Sequence, residues 1–89
     1  MSHLDVAAVA VANLARTVDA LALEPKSAHS TALRTARQEQ RRAENALAIV
    51  RQRPPAGVLG RSLFSALEQS FRRAGTDLET WARSVSLTA

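Results

Sequence analysis

Proline and glycine interrupt this chain at only six places, and their positions decide most of what it can fold into. Prolines stand at 25, 54 and 55, and glycines at 57, 60 and 75. These residues end, kink or turn helices. Between them lie three long segments free of strong breakers, except for the single Gly75.

All three segments carry the helical period. In the first, Leu4, Ala7, Val11, Leu14, Val18 and Leu21 recur at alternating steps of three and four, which keeps one seam turned toward a neighbouring helix. Val6, Val9 and Ala10 widen that stripe, so the helix, expected over about 4–23, has apolar surface for two neighbours. The second seam, Leu33, Ala36, Gln40, Ala43, Leu47 and Val50, is small and polar at its centre. There Gln40 either fixes register by hydrogen bonding or lies at the rim. In the third, Phe64, Leu67, Phe71, Ala74, Leu78, Trp81 and Val85 keep the spacing without a miss, with Leu63 and Ala82 alongside.

The turns follow from the punctuation. Glu24 and Pro25 close the first helix, and Ser27 or Ser30 offers an N-cap hydroxyl for a second over about 30–53. Pro54-Pro55-Ala56-Gly57 stops that helix, and Gly60 or Ser62 precedes a third over about 60–86. Turns are therefore expected at 24–29 and 54–59. Gly75, Thr76 and Glu79 resemble a C′ glycine followed by a capping box, yet the seam stays in phase across Gly75, which favours one long helix. Arg73/Asp77 and Glu79/Arg83 then form i,i+4 pairs on its wet face.

No alternating β pattern or hairpin dipeptide occurs. The expected fold is all-α and a single domain: a small antiparallel three-helix bundle, or a helical hairpin with a long third helix docked on a partner. Of the 89 residues 18 are Ala and only three, Phe64, Phe71 and Trp81, are aromatic. A chain of this length buries about 60 to 65% of the surface its unfolded form exposes. So thin a core points to stabilisation by a partner chain or by self-association.

Several functions lose their chemical basis. Without cysteine there is no disulfide, thiolate metal site or thiol nucleophile. His3 and His29 stand far apart, no G-x-S-x-G elbow exists, and seven of the eight carboxylates have a basic residue or helix terminus close in sequence, so no tuned acid/base pair is evident. The expectation is a protein that is not an enzyme and uses no cofactor or metal. Val6–Ala12 is preceded by Asp5 and by no Lys or Arg, unlike a signal peptide. Asn13 and Arg16 interrupt the best candidate membrane span. A soluble, cytoplasmic chain is expected.

The charge is unevenly placed. Residues 26–61 hold eight basic side chains against Glu39 and Glu44, whereas the rest of the chain holds four against six acids. Arg34, Arg37 and Arg41 share one helical face, with Arg42 adjoining, and could meet phosphates or carboxylates. Eleven Arg against one Lys speaks as much for a compositional bias. Glu39/Arg42 and Arg41/Glu44 partly neutralise the stripe, and no aromatic lies between 26 and 61 to stack on bases. Gly57-Val58-Leu59-Gly60 has the G-x-x-G spacing of a backbone clamp, but its two central residues are apolar. An interhelical turn with Val58 and Leu59 closing the end of the core suits it better.

The reading that accounts for most of these features is a non-catalytic helical interaction module, such as a small subunit, adaptor, chaperone-like or regulatory protein. It would engage a partner helix or a second copy through Phe64, Leu67, Phe71, Leu78 and Trp81. The alternative is a nucleic-acid backbone binder using Arg34, Arg37, Arg41 and Arg42.

Overall fold

The computed structural model describes residues 2–88. Its elements are α1 (His3–Ala20), a 3₁₀ turn (Leu21–Leu23), a second 3₁₀ turn (Lys26–Ala28), α2 (His29–Gln52) and α3 (Val58–Thr88). No strand occurs among the described residues. The fold is all-α, and the three helices run up, down and up along a body of 48 × 19 × 18 Å. At about 1.5 Å per residue the 31 residues of α3 span nearly that whole length.

α1 begins at a capping box. The Oγ of Ser2 accepts from the Asp5 amide at 3.2 Å, and the Ser2 amide donates to Oδ2 of Asp5 at 3.4 Å. Two of the first-turn amides, which have no partner within the helix, are thereby placed. The helix then tightens into the 3₁₀ turn, so the expected stretch to residue 23 is helical but not α throughout. α2 departs further from expectation. Neither Ser27 nor Ser30 caps it: Lys26–Ala28 already winds as 3₁₀, and Ala28 leads into the helix with no side-chain cap.

The Pro-Pro link closes on itself. Gly57 is at φ +87°, a conformation that an L side chain rarely adopts, and its carbonyl accepts from the Arg61 amide at 3.2 Å. α3 therefore starts at Val58, two residues earlier than the spacing predicts. A Cβ on Gly60 would stand 2.8 Å from Cβ of Pro55, so the proline ring packs on bare backbone. Val58 and Leu59 do not close the core. They are 74% and 75% exposed and project from the tip.

The core is the sum of the three seams. Ala7, Val11, Leu14, Val18 and Leu21 from α1 and its turn meet Ala36, Ala43, Ala46, Leu47 and Val50 from α2, and Ala74 and Leu78 from α3. Five of these twelve are alanines, which lets the helix backbones approach closely. No polar or charged residue is buried among the described residues. Gln40 is half-buried against α3, where a Cβ on Gly75 would stand 3.2 Å from its Nε2. α3 runs through Gly75 unbroken, and the missing side chain makes room for Gln40.

Candidate interaction surface

α3 uses its aromatic seam inside the bundle. Leu78 is fully buried, and Phe64, Leu67, Phe71 and Trp81 are half-buried against the core. Phe64, Leu67, Phe71, Leu78 and Trp81, the seam offered for a partner, thus pack in part against the core of this chain. Trp81 also meets the ring of His29 edge-on, with centroids 5.2 Å apart and planes at 76°. The Nε2–H of His29 donates to the carbonyl of Glu24 at 3.2 Å, which ties the α1–α2 connection to the end of α3.

Besides Leu23, Val58, Leu59 and Leu63, exposed apolar surface remains on α1. Val6 and Val9 are 45% and 53% exposed, and with Ala10, Asn13, Glu39, Arg42 and Ala46 they line a groove of about 320 Å³ between α1 and α2. Ile49, also exposed, lies one turn beyond Ala46 and continues that side. The antiparallel pairing of the two helices builds the groove, with Val6 and Ala46 at one end and Asn13 and Glu39 at the other. The Oε2 of Glu39 is shielded from solvent and accepts no hydrogen bond among the described residues. An acceptor so placed costs about 1 to 3 kcal/mol until a donor arrives.

By spacing, Val6, Val9 and Ala10 read as the flank of a wide core stripe, which hides this face. In fact α1 is too apolar for the core it serves. His3–Leu23 has a mean hydropathy of 1.6 over its most apolar window, and only 28% of that window is buried. By length and composition alone, this stretch is apolar enough to cross a membrane, despite Asn13 and Arg16. In the bundle, its seam packs on α2 and α3.

The arginines do not form one patch. Arg34, Arg37, Arg41 and Arg42 are all exposed, but Arg42 lines the α1 groove, whereas Nη1 of Arg37 is 2.7 Å from Oε1 of Glu79 on α3. Arg34 and Arg41 make no ion pair among the described residues. The expected local pairing of Glu79 with Arg83 gives way to this cross-helix bridge. Hydrogen bonding to Arg37 and its positive charge hold the Glu79 carboxyl below its usual range against a small opposing effect of burial, with Arg83 adding a further pull. A second bridge, from Arg51 Nε to Glu68 Oε1 at 3.5 Å, joins the other end of α2 to α3.

Among the described residues no three His, Cys, Asp or Glu side chains stand together as metal ligands would. His3 and His29 lie on different helices. The chain matches no known family, no curated protein and no solved structure.

Proposed function

We propose that this protein is a non-catalytic helical interaction module, and that it docks through α1 and the α1/α2 groove. The observation that carries the reading is the coincidence, on one face, of exposed Val6, Val9 and Ile49 with a solvent-shielded carboxylate oxygen of Glu39 that has no hydrogen-bond partner among the described residues. A partner helix laid in the groove would cover the valines and bring a donor to Glu39, the mode in which apolar anchors supply affinity and one polar contact supplies register. The flanking Arg42 would contribute orientation and rate more than affinity. Nucleic-acid binding has weaker support, because Arg37 is engaged by Glu79 and Arg42 faces another side.

Photo-cross-linking in the native source tests this reading. A photoreactive residue in place of Val6 should give discrete protein adducts, and one in place of Gln69, on the exposed side of α3, should not. Adducts at Gln69 with none at Val6 would overturn the proposal.

A further inference from the structure

The outer face of α1 has a symmetry of its own. Opposite the core stripe lie Asp5, Val9, Ala12 and Arg16, all exposed, at steps of four, three and four, the spacing of a helix–helix seam. Reversal about the midpoint between Ala10 and Val11 exchanges Asp5 with Arg16 and Val9 with Ala12. We infer that this face is the interface of a twofold-symmetric dimer, in which α1 packs antiparallel on α1 of a second copy. This rests on the reading of the chain as an interaction module; the dimer face shares Val9 with the α1/α2 groove but leaves Glu39 and Ala46 outside it.

Three observations support a second copy as the occupant. The charges complement each other under the twofold: each Asp5 meets the partner's Arg16, and each Arg16 the partner's Asp5, as an isologous interface requires. Neither finds an ion-pair partner among the described residues of its own chain. Among the described residues the Asp5 carboxylate accepts from the Ser2 amide, and Arg16 donates to Oδ1 of Asn13. Next, the centre of the stripe is apolar and small, with Val9 against the partner's Ala12 twice, and with Ala8 and Ala15 at its edge letting the helices approach. Finally, the exposed area is too large for a compact monomer. A 9.6 kDa chain is expected to expose about 5,100 Å², and this one exposes 6195 Å². The excess, about 1,100 Å² over the whole elongated body, leaves room for an interface of the roughly 800 Å² per partner that is standard.

Sedimentation velocity over a wide concentration range tests the dimer, with charge-reversal variants as the discriminating arm. The wild-type chain should sediment at twice its sequence mass. D5R presents two guanidinium groups and R16D two carboxylates, so like charges meet at both ends of either homodimer. Each variant alone should dissociate at least about a hundredfold more readily. An equimolar mixture should restore the dimer, because every pair is then opposite in sign. That recovery separates loss of the interface from loss of fold, since D5R also removes the capping box. Val9→Glu should be monomeric throughout, with helicity by circular dichroism retained. A wild-type chain that stays monomeric at every concentration overturns the inference, as does a mixture that fails to dimerise. A monomer whose Val6 adducts join it to a different protein rejects the dimer and leaves the interaction reading intact. Absence of adducts rejects that reading as well.

Discussion

Nη1 of Arg37 lies 2.7 Å from Oε1 of Glu79, joining two residues 42 positions apart and tying the middle of α2 to α3. The bridge does two things. It takes the central member out of an otherwise continuous arginine stripe, and it makes one exposed carboxyl sensitive to a single guanidinium. With its folded pKa depressed by Arg37, Glu79 contributes stability that is present above the ordinary carboxylate pKa and is lost as pH falls through the lowered value. In an NMR titration the Glu79 carboxyl should therefore titrate below the usual range, and Arg37→Gln should return its midpoint toward that range. An unchanged midpoint would mean that the bridge does not persist in solution.

Two glycines should respond to alanine with opposite sign. At Gly75 the added methyl meets only the end of the Gln40 side chain at 3.2 Å, and a half-buried amide can move a few tenths of an ångström. Gly75→Ala should stabilise the protein by about 0.5 to 1 kcal/mol through helix propensity. At Gly60 the methyl meets Cβ of Pro55 at 2.8 Å, and a proline ring fixed to the backbone cannot yield. Gly60→Ala should be destabilising, by about 1 to 3 kcal/mol. Urea unfolding of the two variants decides it.

Leu47 fills the middle of a core otherwise rich in alanine and is fully buried. Truncation to alanine should cost about 2 to 5 kcal/mol, a large share of the total in a domain of this size. Leu63→Ala, at a half-exposed position, should cost less than about 1 kcal/mol. Equal losses at the two positions in thermal unfolding would contradict the burial pattern.

With Arg37 engaged, only Arg34 and Arg41 of the stripe remain for a phosphate backbone. Any binding to duplex DNA should then show a log–log salt slope of at most about 2 in magnitude, with about 0.9 per phosphate contact. A fluorescence-anisotropy titration giving a slope of four or more would favour the nucleic-acid reading.

The three seams were legible because helical period and burial are the same information in a small bundle: Ala7, Val11, Leu14, Val18 and Leu21 are spaced to face inward and do so. Termini were less legible. Ser2-x-x-Asp5 lies outside the apolar seam that marks α1, and the 3₁₀ winding of Lys26–Ala28 leaves both candidate serine caps unused. The expectation of a docking seam on α3 had a different basis. Hydrophobicity and size mark Phe64, Phe71 and Trp81 as anchors, but periodicity does not say whether a seam meets its own chain or another. In this fold α3 closes onto α1 and α2, and part of the unused apolar area falls on the valines of α1. Long-range pairing was likewise invisible, since Glu79 has Arg83 within reach on its own helix yet bridges to Arg37.

The central claim, that α1 rather than the α3 seam presents the docking surface, is tested most directly by comparing Val9→Glu with Phe71→Ala. Both are read by the yield of protein adducts from a photoreactive residue at Ile49, under conditions where circular dichroism shows each variant folded. Val9→Glu should abolish the adducts and, at protein concentrations too low for assembly, leave unfolding within about 0.5 kcal/mol of wild type. Phe71→Ala should lower stability by about 3 kcal/mol or more and keep the adducts. Adducts lost in folded Phe71→Ala and preserved in Val9→Glu would contradict the account and return the docking surface to α3.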